Sequence, residues 1–191
     1  MTIDLGAPAA DVARLAAGVR DDQLDDPTPC PDIDVRGMLA HILGLSVGFR
    51  DAARKVNGPT TSTPPGPALL PADWREEVAP RLADMAAAWR EPGAWEGEAT
   101  VGGVTSPAPQ TAAFGNNELV VHGWDLAVAT GQRYSPAEAN LQASYELASS
   151  IPDEPASRTG LFGPRVQVPD DAPLLDRTLG AAGRDPSWQP R

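Results

Sequence analysis

Apolar residues recur every three or four positions in several separate blocks of this chain, and no block of comparable length alternates with a period of two. That spacing gathers side chains into one stripe of an α-helix, and each stripe must be buried against a neighbour. Val12, Leu15, Ala16 and Val19 form the first, over residues 9–19. The second follows Asp34, whose short carboxylate suits a helix N-cap, and runs through Val35, Met38, Leu39, Ile42, Leu45 and Phe49 to about residue 53. A third starts near Asp73, with Glu76 at capping-box spacing, carries Trp74, Val78, Leu82, Met85 and Trp89, and stops at Glu91-Pro92-Gly93. A fourth covers residues 110–130, with Leu119, His122, Leu126 and Ala129 on one face and Gly131 as the terminating residue. A fifth follows Ser135, which has Glu138 at capping-box spacing and Pro136 at the permissive first position.

The intervening segments read as connectors. Pro27, Pro29 and Pro31 preclude a helix between the first two stripes, residues 57–67 read as a long loop, and residues 95–109 suit a loop or a short hairpin. After Ile151 the chain is rich in Pro, Gly and Asp, with a brief alternation at Val166-Gln167-Val168 and two helical turns over residues 172–179. The pattern predicts an all-α protein, an antiparallel four-helix bundle over residues 1–150 with a short C-terminal extension over 151–191 that holds a short strand and a short helix and packs on the bundle.

Charge and cysteine usage remove several function classes. With 15 basic against 26 acidic residues the formal charge is -11, and no basic cluster offsets it, so a phosphate backbone is repelled and nucleic acid is excluded as a partner. Cys30 is the single cysteine, which rules out an internal disulfide and a paired-cysteine zinc or redox site. No run approaches the roughly 18 apolar residues of a membrane span, and Met1-Thr2-Ile3-Asp4 opens no secretory signal, so a cytoplasmic location is expected.

The chain has two histidines, and both fall in helical stripes. His122 follows Glu118 by four residues, which stacks carboxylate and imidazole on one helix face. His41 lies between Met38 and Leu45, on or beside the inward face of another helix. Should the three meet, two neutral imidazoles and one carboxylate would suit zinc or a similar divalent ion and leave a position open, as in catalytic sites. The net positive charge of such a centre lowers the pKa of a bound water or thiol. The same residues also admit a reading without metal, with Glu118 on a solvated face and His41 hydrogen-bonded in the core. Four neighbours have a similar double reading. Asp125 either orients a ligating ring or serves its own helix, and Asn117 either hydrogen-bonds a ligand or caps a loop. Trp124 is a core or groove aromatic or a substrate contact, and Cys30 is a nucleophile, an extra ligand or an inert buried thiol. No glycine-rich phosphate loop and no hydrolytic triad stand out.

Thr28-Pro29-Cys30-Pro31 with Asp34-Val35-Arg36-Gly37-Met38-Leu39-Ala40-His41 resembles the first signature of the mycothiol-dependent maleylpyruvate isomerase metal-binding domain family, of the DinB-like superfamily. Asn117-Glu118-Leu119-Val120-Val121-His122-Gly123-Trp124-Asp125 resembles its second signature. Phe162-Gly163-Pro164 and Gly183-Arg184-Asp185-Pro186 are similar to the tail of an uncharacterised actinobacterial branch of that family. The resemblance implies that His41, Glu118 and His122 ligate a divalent ion, usually zinc, which activates the thiol of mycothiol for attack on a small electrophile. The isomerase itself has a further C-terminal domain, whereas a short tail follows the bundle here, so the resemblance reaches the metal site more firmly than the reaction. Isolated Arg36, Arg158 and Arg165 are the candidates for an acidic substrate. Two functions follow as expectations: a thiol-dependent transferase or isomerase, or a metal-stabilised binding or stress-response protein without turnover. Either is compatible with a monomer or a homodimer.

Overall fold

The first long stripe becomes α1 (Gly6–Ala17) and the second α2 (Val35–Ala53) in a computed structural model that describes residues 2–63 and 69–190. Asp34 caps α2 as expected, its Oδ1 accepting from the Gly37 amide at 2.7 Å. The Pro-rich connector before it is folded back on the same helix end. Val35 N donates to Asp26 O, Arg36 N donates to Leu24 O, and the Thr28 hydroxyl donates to Ile33 O at 2.6 Å while accepting from the Cys30 amide. Three prolines therefore give an ordered bracket.

The next elements are a single-turn α3 (Pro59–Ser62), α4 (Trp74–Ala88), a hairpin of β1 (Glu98–Val101) and β2 (Val104–Pro107), and α5 (Ala108–Ala129). Gly102 and Gly103 connect the strands with φ of 58° and 80°, the conformation a two-residue hairpin turn requires. Beyond α5 come α6 (Glu138–Ser150), a short α7 (Pro155–Arg158) and α8 (Leu174–Ala181). The simple four-helix bundle expected from periodicity is thus corrected to eight helices and a minor hairpin among the described residues. The four long central helices do form a ring, in which α1 and α2 each pack on both α4 and α5. α6 then packs on α5, and α8 on α6.

Fully buried Leu15, Met38, Leu39, Ile42, Leu82, Met85, Trp89 and Leu126 fill the ring. Burial of a side chain of this kind stabilises the fold by about 1.5–3 kcal/mol. A smaller apolar cluster of Val121, Ala148, Ala181 and Ala182, with Tyr145 and Phe162 against it, joins α5, α6 and α8.

Several local expectations are revised. Asp73 makes no side-chain cap for α4. α6 begins at Glu138 and not at Ser135, because Ala137 stays extended at ψ 133°, out of the helical region. No strand forms at Val166-Gln167-Val168, where the Val166 amide instead donates to Gly180 O beside α8. The loop expected over 57–67 contains α3, and its residues 64–67 lie outside the described residues. Among the described residues, no helix is long and apolar enough to cross a membrane.

Candidate metal centre

α2 and α5 pack side by side, and their contact brings both histidines to the same carboxylate. His41 Nε2 lies 3.4 Å from Glu118 Oε2, and His122 Nε2 lies 3.0 Å from that same oxygen. The two imidazole rings meet edge to face at 89°, with centroids 4.9 Å apart. One ligand atom from each of His41, Glu118 and His122 lies within 4.8 Å of the others. A tetrahedral ion with bonds of about 2.0–2.1 Å separates its donor atoms by about 3.3 Å, so the two measured separations fit one ion between them. Exposure falls across the cluster: the side chains of His41 and Glu118 are 26% and 23% exposed, that of His122 11%. Its His41 side is open, and its His122 side is closed.

The charges explain why these groups tolerate burial. Burial alone would raise the Glu118 pKa, but hydrogen bonds from His122 and then His41 override it and hold the carboxyl well below its usual range. Burial alone would lower the His122 pKa, yet hydrogen bonds to Asp125 and Glu118 raise it to about 9. His122 therefore binds a proton firmly unless a metal ion displaces it.

Behind His122 sits a second layer. Asp125 Oδ2 is 2.9 Å from His122 Nδ1, and the Asp125 side chain is fully buried. Arg184, from the chain beyond α8, donates from Nε to Asp125 Oδ1 at 2.9 Å and from Nη2 to Oδ2 at 3.0 Å. Cys30, carried by the Pro-rich bracket, completes a second close group with His122 and Asp125, again within 4.8 Å. Burial pushes the Cys30 thiol up to about 11, only partly offset by the nearby Arg184. Two clusters thus share His122. The Cys30 group is the poorer cation site, because the Asp125 oxygens already accept from a fixed guanidinium that would repel an ion. Among the described residues, no arginine or lysine hydrogen-bonds to His41, Glu118 or His122.

The family model described as "Mycothiol maleylpyruvate isomerase N-terminal domain" matches residues 5–127. The chain belongs to that family. Crystal structures of the mycothiol-dependent maleylpyruvate isomerase and of a mutant of it are similar to this chain, at TM-scores of 0.56 and 0.58 and sequence identities of 20% and 18%. Each likeness covers 74% of this chain and 65% of the isomerase chain, so this chain spans somewhat under two thirds of the isomerase's length. At those identities the likeness establishes a broadly DinB-like fold and no more. No curated protein matches the chain. The match is at family level, and residues 128–191 lie outside the matched span.

Within this member of the maleylpyruvate isomerase N-terminal family, the remaining candidates go elsewhere. Asn117 accepts from the Ser144 hydroxyl at 2.7 Å, tying α5 to α6. Arg36 pairs with Asp25 at the surface, and Trp124 is buried. None of these three hydrogen-bonds to His41, Glu118 or His122 among the described residues. Arg158 is buried and donates to Gly163 O and Ala181 O, and Arg165 donates to Ser149 O and Ile151 O. Arg158 holds the tail's own carbonyls, and Arg165 ties the tail to the end of α6. Sequence reasoning gave Arg184 no role at the site. Its partner Asp125 is 59 positions away, and no periodicity links them.

Proposed function

We propose that this protein is a metal-dependent, thiol-using transferase or isomerase of the cytoplasm, with His41, Glu118 and His122 as the ligands of a divalent ion. Convergence of two helices on a three-donor cluster with one exposed side is the observation that carries this reading. A bound divalent ion supplies a positive centre that lowers the pKa of a thiol brought against it. The protein's own groups do the rest. Glu118 stays ionised and neutralises part of the charge, and Asp125 holds the His122 ring by Nδ1 with Nε2 toward the ion. Zinc suits two imidazoles and a carboxylate. Family membership supports mycothiol as the thiol and a small electrophile as its acceptor, and the Gly183-Arg184-Asp185-Pro186 tail supports an actinobacterial branch.

A metal that only crosslinks α2 and α5 would favour a closed shell of four protein ligands. The exposed flank formed by His41 and Glu118 favours the enzyme. The test is turnover: zinc-loaded protein, mycothiol and an electrophilic unsaturated acid such as maleylpyruvate, with chelated protein and His122→Ala as controls. Loss of electrophile that needs both zinc and thiol, and is abolished by chelation and by the substitution, is the expected result. Stoichiometric zinc that raises the melting temperature without any thiol binding would establish the structural alternative instead.

A further inference from the structure

The chain beyond α8 reaches Asp125, behind the candidate centre, through the Arg184 side chain, and the backbone there forms a tight turn. Arg184 follows a tight helix-terminating turn: its amide donates to Leu179 O at 2.8 Å, and the Gly183 amide donates to Gly180 O at 3.1 Å. Gly183 has φ +77°, and a Cβ there would come within 2.6 Å of the Gly163 backbone, so the two glycines stack with no room for a side chain. Arg158, buried beneath them, donates to Gly163 O at 2.7 Å and to Ala181 O at 2.6 Å, pinning both segments. From this platform the Arg184 guanidinium engages both oxygens of Asp125, and Asp125 Oδ2 engages His122 Nδ1.

We propose that Arg184 is a positioning residue for His122. Its forked contact fixes the Asp125 carboxylate so that one oxygen stays aimed at Nδ1, and the ring then presents Nε2 toward His41 and Glu118. A carboxylate as buried as Asp125 needs a countercharge. Arg184 supplies it through paired N–H contacts to both oxygens. Lysine would carry the charge but not the fork. The inference rests on the metal reading of the centre and adds that the C-terminal extension tunes it.

The experiment compares wild type, Arg184→Gln, Arg184→Lys and Leu179→Ala. Leu179 is fully buried under the same turn, so its truncation loosens the extension without removing the guanidinium. Zinc affinity is measured by competition with a chelator, well below every melting temperature, and hydrogen exchange of the His122 Nδ1–H proton is followed by NMR on the metal-free proteins. Arg184→Gln is expected to lose about 10- to 100-fold in zinc affinity, the usual cost of removing an outer-shell partner. Arg184→Lys should fall between it and wild type, and Leu179→Ala should melt earlier yet lose clearly less affinity than Arg184→Gln, because the guanidinium is still present. The Nδ1–H proton should be protected in wild type and exchange fast in Arg184→Gln. Equal affinities in wild type and Arg184→Gln, or equal losses in Arg184→Gln and Leu179→Ala, would overturn the positioning role. A wild type that takes up no zinc would sink the metal reading instead, and the ring proton would still decide between positioning (slowed exchange lost in Arg184→Gln) and its refutation (exchange unchanged).

Discussion

His122 is held from both sides, by Glu118 at Nε2 and by Asp125 at Nδ1, and this makes proton and metal direct competitors for one nitrogen. The signs are opposite in the two settings. In metal-free protein the folded pKa of His122 stands above its ordinary 6.5, at about 9, so its contribution to stability is whole below about 6.5 and is lost as pH rises through about 9. Glu118 acts in the other direction: its folded pKa is depressed, so its contribution is present above the ordinary 4.5 and is lost as pH falls through the folded value. Zinc binding must release the His122 proton, so zinc affinity should rise about tenfold per pH unit below the His122 pKa and level off near it. Chelator competition across that range checks this, and a flat profile would mean that His122 Nε2 is not a ligand. At this scale the sequence was legible for the residues four apart on one helix, Glu118 and His122, and for a histidine on an inward stripe, His41. It was silent on Arg184, because an ion pair between distant segments leaves no local pattern.

Helix caps and turns decide where these residues stand. Asp34 starts α2 seven residues before His41, and the Pro-rich bracket stitched to that helix end carries Cys30 behind His122. α2 and α5 were readable because long apolar stripes dominate local preference. The start of α6 was not, since Ser135 and Glu138 have the capping spacing while the backbone at Ala137 stays extended. The tail was misread at Val166-Gln167-Val168 for a related reason: brief alternation without a partner strand makes no sheet, and the Val166 amide bonds the end of α8. The element most exposed to a single change is the turn at Gly183. Gly183→Ala would force a side chain into a left-handed conformation, costing about 1–2 kcal/mol from the backbone alone, and would collide with Gly163. A lower melting temperature together with weakened zinc binding is expected, whereas a variant that melts as wild type would show the turn to be slack.

For the molecule as a whole, four long helices make a ring, α6 packs on its α5 side, and α8 packs on α6. Periodicity could reveal the ring, since each stripe must be covered. It also marked α6 and α8 as helices, but not the hydrogen bonds from Arg158 to Gly163 O and Ala181 O that tie the outer layer down. Among the described residues, the candidate centre is exposed on its His41 side and braced on its His122 side. The competing cluster at Cys30 would instead put a protein sulfur on the ion. X-ray absorption at the zinc edge of the loaded protein, before and after mycothiol is added, separates these possibilities most directly. The expected result is a shell of nitrogen and oxygen donors at about 2.0–2.1 Å without thiol, joined by one sulfur at about 2.3 Å once thiol is present. A sulfur neighbour before any thiol is added, or none afterwards, would contradict a thiol-activating centre built from His41, Glu118 and His122.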